Sequence, residues 1–393
     1  MPRLLILTAS LLAACTEDPE TTPTEETNPA DAAFAERLEP GSFAVGYRQI
    51  DVTYRPEVSD ENRTIPVEVW YPAMPDGATA GYAVGGIISI DAPLATTADP
   101  ADPGDLPFPV AVYSHGNGGV GLVGYPFGEY LASWGWVVLA PDHVGNTALE
   151  LVIGQGDPFL RSVIDRPQDI SATLDWLENV GADDPLAELA DPSSVLLVGH
   201  SFGGYTSFAA AGAKPSADRL DPDCPDKDDP NCVLFEDPAF QDLLEQGFAD
   251  DRITALVPQA PAIRSFEASE LTDLSLPTML QSGAVDITTT PETSSIPTWA
   301  AIDGEDDVWI DMPRGGHITF LSICDDLEDE LITTFQASAF EDGCGEQFIP
   351  VSEALPVLSA YIGLFGDAHI RGLDTQGTIE DATPPEGFVL TTQ

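Results

Sequence analysis

A serine flanked by glycines, in the segment Val198-Gly199-His200-Ser201-Phe202-Gly203, is the part of this chain best suited to covalent chemistry. The segment follows the apolar run Val195-Leu196-Leu197 and precedes a run of small residues, which is the order of a strand, a sharp turn and a helix. Because glycine has no Cβ, the backbone can turn tightly here and leave the Ser201 hydroxyl exposed at the C-terminal edge of a sheet. This context predicts that Ser201 is a nucleophile.

A serine hydroxyl needs a base to remove its proton, and the base needs an acid to orient it. In chains that carry a serine at such a turn, the acid and then the histidine follow it in sequence. Among the five histidines, only His317 follows the last predicted strand on a glycine-rich loop. The others lie in earlier loops, in the serine turn itself or in the C-terminal region (His115, His143, His200 and His369). We therefore expect His317 to be the base.

The orienting acid is expected directly after the penultimate strand. Asp286 stands there, after the apolar and small residues 279–285 and before the polar loop 287–290. Asp311 is the alternative, but it belongs to the last strand and is too close to His317 in sequence to orient the ring well. Position therefore favours Asp286 as the acid.

The negative charge that develops on the substrate oxygen must be stabilised by preset hydrogen-bond donors. One donor is expected to be the backbone N–H of Phe202, and the other should come from the loop 113–119 that follows an earlier strand. Asn117 is the first candidate on that loop and Gly118 the second, whereas His115 is expected to brace it. The alternative is an ordinary glycine-rich turn without a catalytic role.

These residues are placed by strands that alternate with helices. Strands are predicted over 43–55, 64–72, 110–113, 136–140, 195–200, 253–257, 277–280 and 308–312, and helices over 125–133, from Arg166-Pro167 onward and over 351–365. The alternation predicts an α/β fold with a mostly parallel sheet covered by helices on both faces, as in the α/β-hydrolase fold. Residues 73–106 and 214–251 interrupt it and are predicted to be surface insertions, the second a disulfide-closed acidic one that is a candidate cap over the site.

Four blocks in this order resemble bacterial relatives of platelet-activating-factor acetylhydrolase, many of which are labelled predicted dienelactone hydrolases. They are Ser114-His115-Gly116-Asn117-Gly118-Gly119, Ala140-Pro141-Asp142-His143-Val144-Gly145-Asn146-Thr147, Asp165-Arg166-Pro167-Gln168-Asp169-Ile170 and Gly199-His200-Ser201-Phe202-Gly203-Gly204. The resemblance covers about residues 67–317 and implies a serine esterase with Ser201, Asp286 and His317 as its triad and a preference for short acyl groups. True dienelactone hydrolases carry cysteine at the position of Ser201, and the acidic insertion is a departure from the family.

The first residues resemble an export signal. Residues 1–14 combine one positive charge with an apolar run too short to span a bilayer, and the segment Leu12-Ala13-Ala14-Cys15 resembles the lipobox of bacterial lipoproteins. Acylation of Cys15 would anchor the chain to a membrane of the cell envelope, whereas an ordinary secretory signal is the alternative. Residues 15–40, rich in Thr, Pro and Glu, are predicted to be a disordered tether, and 41–393 one hydrolase domain.

The chain is strongly acidic, with a formal net charge of −52 from 66 acidic and 14 basic residues. Nucleic acid is thereby excluded as an expected partner, because phosphate contacts need basic patches. The acids are spread along the sequence and lysine is limited to Lys214 and Lys227, which suggests a saline habitat. Anionic substrates are disfavoured by the same field.

Four cysteines follow Cys15, and an even number in an exported chain implies two disulfides with three possible pairings. The local pairs Cys224–Cys232 and Cys324–Cys344 close short loops and are favoured. The loop between the first two also carries closely spaced carboxylates that are a weak candidate for calcium (Asp221, Asp223, Asp226 and Asp228). It lacks the central glycine and terminal glutamate of an EF-hand.

These observations predict a hydrolase that cleaves small-molecule or lipid carboxylic esters through an acyl-serine intermediate. The chemistry requires neither a metal nor an organic cofactor. Two alternatives are an inactive cell-surface binding lipoprotein on the same scaffold and a hydrolase of polyesters. The complete set of nucleophile, base, acid and oxyanion loop disfavours the binding protein.

Overall fold

The computed structural model describes residues 28–84, 88–104, 107–187, 189–226, 229, 232–304, 306–336 and 338–393. Within these residues a single mixed sheet has the strand order β11-β10-β9-β8-β7-β5-β6-β2-β1-β4-β3. The strands are β1 (Ala44–Tyr54), β2 (Arg63–Ala73), β3 (Thr79–Val84), β4 (Ile88–Thr96), β5 (Phe108–Ser114), β6 (Val137–Pro141), β7 (Ala190–His200), β8 (Ile253–Gln259), β9 (Met279–Gly283), β10 (Val308–Met312) and β11 (Val389–Thr392).

Helices cover both faces of the sheet. In chain order they are α1 (Pro29–Arg37), α2 (Tyr125–Ser133), α3 (Ala148–Val152), α4 (Phe159–Asn179), α5 (Phe202–Ala210), α6 (Ala217–Leu220), α7 (Pro238–Gln246), α8 (Ala268–Thr272), α9 (Ser295–Ala301), α10 (Ile323–Asp326), α11 (Asp329–Phe335), α12 (Val351–His369) and α13 (Gln376–Asp381). Short 3-10 turns lie at Gly121–Gly124, Asp221–Asp223, Val233–Glu236, His317–Phe320 and Ala339–Glu341.

The six central strands, from β6 through β5, β7, β8 and β9 to β10, are parallel. Their carboxyl ends therefore meet at one edge of the sheet, where the loops after β5, β7, β9 and β10 converge. Alternate residues of these strands belong to two separate cores: Val110 and Val112 of β5 face α4 and α5, while Ala111 and Tyr113 face α2 and α12. The predicted mostly parallel α/β arrangement is confirmed, with antiparallel strands at both ends.

The interpretation of residues 73–106 as a surface insertion is wrong. β3 and β4 pair with each other, and β4 adds them to the sheet beside β1. The many Pro, Gly and Asp residues hid this signal, since such residues are depleted in strands. Buried Tyr82 and Ala95 instead pack into the core beneath α2, where Glu129 accepts hydrogen bonds from both, at 2.8 and 3.0 Å.

The helix predicted to open at Arg166-Pro167 begins seven residues before Arg166, at Phe159, so that Pro167 lies in the interior of α4. Proline has no N–H and leaves the carbonyl four residues before it without a helical donor. Here that carbonyl belongs to Val163, and the Tyr205 hydroxyl donates a hydrogen bond to it at 3.0 Å. A side chain from α5 thus compensates for the proline.

The predicted tether over 15–40 is corrected at its C-terminal end. Residues from Pro29 form α1, whose first turn is capped by Asn28. Phe34 on this helix is buried against the Tyr361 ring, with centroids 4.7 Å apart. The expected signal peptide, Cys15 and the first part of the tether lie outside the described residues. No helix in the described part of the chain is long and apolar enough to cross a membrane.

Two disulfides close the local loops favoured from the sequence, Cys224–Cys232 and Cys324–Cys344. The second lies between β10 and α12, where it ties together a small apolar cluster formed by Ile318, Ile332 and Ala339. Structural disulfides are typical of exported proteins, so the chain is assigned to a non-cytoplasmic compartment.

Candidate active site

The Ser201 turn joins β7 to α5. Ser201 has φ 57° and ψ −114°, a conformation that is costly for a residue with a side chain and that recurs at functional sites. Its N–H donates to the Gln259 carbonyl at 2.8 Å, and its own carbonyl accepts from the Ala262 N–H at 2.9 Å. The chain at the end of β8 therefore holds the turn. A Cβ on Gly203 would lie 1.9 Å from the Ser114 carbonyl oxygen, so glycine is required for the loop after β5 to approach.

The three side chains singled out from the sequence form one hydrogen-bonded chain. His317 Nε2 lies 2.9 Å from Ser201 Oγ, and His317 Nδ1 lies 2.8 Å from Asp286 Oδ2. All three residues are buried, with 8% or less of their surface exposed. The network assigns the ring proton to Nδ1, which donates to Asp286 and leaves Nε2 to accept from the serine hydroxyl. The alternative acid, Asp311, instead accepts a hydrogen bond from Ser282 Oγ at 2.6 Å.

The loop after β9 holds the Asp286 carboxylate. The N–H groups of Thr288 and Thr289 donate to Oδ1 at 2.8 and 2.7 Å, and the Thr289 hydroxyl lies 2.8 Å from Oδ2. Burial by itself would raise the pKa of Asp286, but the hydrogen bonds from His317 and Thr289 outweigh it and lower that pKa below its usual value. Asp286 is therefore ionised at neutral pH, as an orienting acid must be.

Asp342, which the sequence analysis did not select, links the loops that carry His317 and Asp286. Its Oδ1 accepts hydrogen bonds from the N–H groups of His317 at 2.9 Å and of Ile287 at 3.1 Å. Its Oδ2 accepts from the Thr288 hydroxyl at 2.7 Å, and the side chain is fully buried. Asp342 lies two residues before Cys344, so the second disulfide restrains the same segment. Its hydrogen bonds hold the backbone of His317 and of the loop that follows Asp286.

Replacing Asp342 by alanine is expected to lower kcat for ester hydrolysis by about 100-fold with little change in KM, because a small displacement of a base costs about this much. Asp342→Asn is expected to restore most of the loss, since its oxygen still accepts from both N–H groups and its amide can donate to Thr288. Asp307 provides the control, because it is equally buried and accepts N–H bonds from Thr278 and Gly304 before β10. Asp307→Ala is expected to lower the melting temperature and to leave kcat unchanged; equal losses of kcat in both alanine variants would contradict the positioning role.

The loop after β5 lies against the Ser201 turn, since a Cβ on Gly116 would be 3.2 Å from Ser201 Cβ. On this loop the side-chain oxygen of Asn117 accepts a hydrogen bond from Asn146 Nδ2 at 2.8 Å. Asn146 Oδ1 in turn accepts from Arg166 Nη1 at 2.7 Å, and Arg166 is fully buried. With its oxygen engaged, Asn117 has its NH₂ group left to donate to a substrate.

The two expected oxyanion donors are placed beside the serine. Phe202 is the first residue of α5, so its N–H has no acceptor within the helix. Asn117 lines the space on both sides of Ser201, whereas Gly118 lines only one side. Asn117 therefore stays the first candidate for the second donor and Gly118 the next.

Two buried histidines brace the loop after β5. His143 Nδ1–H donates to Asp169 Oδ2 at 2.9 Å, and Ser114 Oγ–H donates to His143 Nε2 at 2.9 Å. His115 Nε2 accepts from the His143 N–H at 3.0 Å. Burial, and then the charge of Arg166, hold the pKa of both histidines well below the usual value. They stay neutral and act as structural hydrogen-bonding groups.

His200 packs against His317. Its Nε2 donates to the His317 carbonyl oxygen at 2.9 Å, and the two rings lie with centroids 4.7 Å apart. Burial, followed by repulsion from a protonated His317, lowers the pKa of His200 to about 3. A neutral ring at this position avoids opposing the charge that His317 gains when it accepts a proton.

Two pockets meet at Ser201. The first, which we name the Phe159 pocket, has a volume of about 510 Å³ and is lined by Asn117, Phe159, Ser201, Phe202, Pro261, Ala262, Ile263, Arg264, Ser265, Thr288, Thr289, Thr293 and Ser294. The second, the Ile332 pocket, has a volume of about 220 Å³ and is lined by Ile90, Gly116, Asn117, Gly118, Gly119, Val120, Val123, Ala148, His200, Ser201, Thr288, His317, Ile318, Leu321, Ile323, Leu327, Ile332 and Gln336. Ser201 thus has an open cavity on each side.

The prediction that residues 214–251 are a candidate cap is corrected by the structure. None of the described residues of that segment lines either pocket. Its apolar side chains, including Leu220, Phe240 and Leu243, are buried in the core on the α4 and α5 face instead. Residues 318–336 instead form a wall of the Ile332 pocket. This segment contains Cys324 of the second disulfide, and its short helices show no strong periodicity in the sequence.

The calcium candidate gains no support from the described residues. Of its four aspartates, Asp228 lies outside them and Asp223 accepts a hydrogen bond from Arg264 Nη1 at 2.6 Å. Across the described ranges, no group of three or more His, Cys, Asp or Glu side chains is arranged to hold a metal ion.

Comparison with known proteins identifies the fold. A ferulic acid esterase from Streptomyces cinnamoneus superposes with a TM-score of 0.59 at 20% sequence identity, over 90% of this chain and 98% of that chain. The chain thus has the α/β-hydrolase fold of that esterase over nearly its whole length. No family model matches the chain. No curated protein matches its sequence.

Proposed function

We propose that this chain is a serine carboxylester hydrolase that acts through an acyl-enzyme intermediate. The observation that carries the proposal is the hydrogen-bonded chain from Ser201 Oγ through the His317 ring to Asp286. It is located where the Phe159 pocket and the Ile332 pocket meet. The order of the three residues along the chain and the hydrogen bonds between their side chains support these roles in acyl transfer. A fold shared with a ferulic acid esterase supports ester bonds as the substrate class.

In the first step His317 Nε2 accepts the Ser201 proton as Oγ attacks the ester carbonyl carbon. The carbonyl oxygen becomes an oxyanion that the Phe202 N–H and the Asn117 side chain stabilise. His317 then donates its proton to the leaving alkoxide, the alcohol departs, and the acyl group stays bound to Oγ. In the second step His317 takes a proton from water, the hydroxide attacks the acyl carbon, and Ser201 recovers its proton when the acid leaves.

The proposed substrates are small-molecule or lipid esters, because the pockets are uncharged apart from Arg264 and are mainly apolar in lining. The family resemblance adds short acyl groups as the expected preference. Polyesters are the alternative substrate. We also propose that Cys15 is acylated and holds the enzyme at a membrane of the cell envelope, which the signal-like residues 1–14 support.

Reaction with diethyl p-nitrophenyl phosphate tests the proposal. The full chain without its signal is expected to release about one p-nitrophenolate per molecule in a rapid burst, since Oγ attacks phosphorus as it would an acyl carbon. The same treatment should abolish hydrolysis of p-nitrophenyl acetate, and peptide mass analysis should find the diethyl phosphoryl group on Ser201. A folded protein that hydrolyses no ester and is not labelled would instead be the inactive binding lipoprotein.

A further inference from the structure

The two pockets at Ser201 differ in which reacting groups they contact. His317 lines the Ile332 pocket and is absent from the lining of the Phe159 pocket. Phe202, whose backbone N–H is the first proposed oxyanion donor, lines the Phe159 pocket only. Asn117, Ser201 and Thr288 line both, so an ester bond at Ser201 Oγ would have one substituent in each pocket.

We propose that the Ile332 pocket receives the alcohol part of the ester and the Phe159 pocket receives the acyl part, an inference that rests on the proposed function. The leaving oxygen must lie within hydrogen-bond distance of His317 Nε2, because that atom returns the proton. The alcohol substituent therefore extends into the pocket that His317 lines. The acyl substituent extends to the other side of the carbonyl carbon, beside Phe202.

The Ile332 pocket selects a compact apolar alcohol. Its wall consists mainly of aliphatic side chains (Ile90, Val120, Val123, Ile318, Leu321, Ile323, Leu327 and Ile332), and no Asp, Glu, Lys or Arg of the described chain lines it. The lining of this pocket thus differs from the chain as a whole, which has 66 acidic residues. A cavity of about 150 Å³ binds benzene. The pocket's volume of about 220 Å³ thus suits a group of benzyl or hexyl size.

The Phe159 pocket accepts a larger acyl group with both an aromatic and a polar contact surface. The rings of Phe159 and Phe202 stack with centroids 5.5 Å apart, and the Arg264 guanidinium lies 5.2 Å from the Phe159 centroid. Arg264 also pairs with Asp223 at 2.6 Å, so its charge is already compensated. With about 510 Å³ available, this side is not restricted to acetyl groups. The predicted substrate class is an ester of a bulky neutral acid with a compact apolar alcohol, and the acyl part thus departs from the short groups that the family resemblance implies.

The assignment can be tested because the acyl-enzyme no longer holds the alcohol. A variant that fills the alcohol pocket slows acylation and leaves deacylation of a given acyl-enzyme unchanged, whereas one that fills the acyl pocket affects both steps. Ala148 and Ala262 offer a matched pair, as each is half-buried and lines only one pocket. Ala148→Phe and Ala262→Phe are compared by stopped-flow with benzyl and methyl esters of acetic and phenylpropionic acids.

Ala148→Phe is expected to slow acylation by benzyl esters about tenfold or more relative to methyl esters, and to leave deacylation within about twofold. Ala262→Phe is expected to slow both steps for phenylpropionyl esters relative to acetyl esters. The opposite pattern, or equal effects of both variants on both steps, would overturn the assignment. A wild type that hydrolyses none of these esters and is not labelled by diethyl p-nitrophenyl phosphate is a different outcome, which would overturn the proposed function itself.

A measurement on the unmodified enzyme covers the case in which a variant does not fold. Benzyl alcohol and glycerol are added as competing acceptors while the phenylpropionyl-enzyme turns over. Benzyl alcohol is expected to divert the acyl group into benzyl ester in a saturable manner, because it binds the Ile332 pocket, and glycerol is expected to divert much less. Equal, non-saturable transfer to both alcohols would contradict an apolar alcohol pocket.

Discussion

Replacing Ser201 by alanine is expected to lower kcat for p-nitrophenyl ester hydrolysis by about 10⁶-fold, to a rate close to that of the uncatalysed reaction plus binding effects. Without Oγ no acyl-enzyme forms, and neither His317 nor Asp286 can compensate, because the three groups act as a unit. The rate is measured under saturating substrate, with protein purified from cells that lack background esterase activity. Labelling by diethyl p-nitrophenyl phosphate should disappear with the activity.

Ser207 on the same helix supplies the matched control. It is fully buried, and its hydroxyl donates to the Gly203 carbonyl within α5 at 2.9 Å. It lines neither pocket, so Ser207→Ala is expected to change stability slightly and to keep kcat within a few-fold of the wild type. Retention of wild-type kcat by Ser201→Ala would place the nucleophile elsewhere and remove the proposed mechanism.

The order of the candidate site was predictable because the fold imposes it. Loops that follow parallel strands meet at one edge of the sheet, so a serine after β7, an acid after β9 and a histidine after β10 were expected to converge. The structure brings Ser201 and His317 within hydrogen-bond distance although 116 residues separate them. Scarcity helped as well: with five histidines in the chain, position alone singled out one.

The residues that support the candidate site and α4 were not predictable, because the order of the elements along the chain does not determine their contacts. Asp342 is one of 66 acidic residues, and its partners are two backbone N–H groups and a threonine hydroxyl that no sequence pattern marks. The start of α4 was missed because Pro167 ordinarily ends or begins a helix, and the hydroxyl that satisfies the freed carbonyl comes from Tyr205, which is distant in sequence. Such contacts depend on packing rather than on local periodicity.

The two pockets could not be predicted from the sequence either. The wall of the Ile332 pocket comes from residues 318–336, where short helices and turns replace any regular apolar pattern, and from loops on the other side of the sheet edge. Substrate preference is set by these walls rather than by the triad, which determines how the bond is broken. The family resemblance therefore predicted the chemistry and could not predict the shape of the substrate.

Asp286→Asn is expected to lower kcat by about 10⁴-fold, with KM nearly unchanged. Asparagine presents an NH₂ group or a weaker acceptor to His317 Nδ1, so the ring loses the tautomer in which Nε2 is free to accept the Ser201 proton. The imidazolium that forms during the reaction also loses its counter-charge. Asp311→Asn is the control, since Asp311 was the alternative acid and contacts Ser282 instead of His317. Asp311→Asn should keep kcat within a few-fold, and a loss equal to that of Asp286→Asn would contradict the assignment of the acid.

The pH dependence of the stability of Asp286→Asn distinguishes the effect of the Asp286 charge from that of its shape. Hydrogen bonds from His317 and Thr289 lower the pKa of Asp286 in the folded state below its unfolded value of about 3.9. A depressed folded pKa contributes stability that is fully present above the unfolded pKa and is lost as the pH falls through the folded pKa. The free energy of unfolding of Asp286→Asn should therefore lie below that of the wild type at pH 6, and the gap should narrow as the pH falls below about 4. Both free energies are measured by urea unfolding. A difference that stays constant across this pH range would mean that the charge of Asp286 contributes nothing to stability and that only the shape of its side chain does.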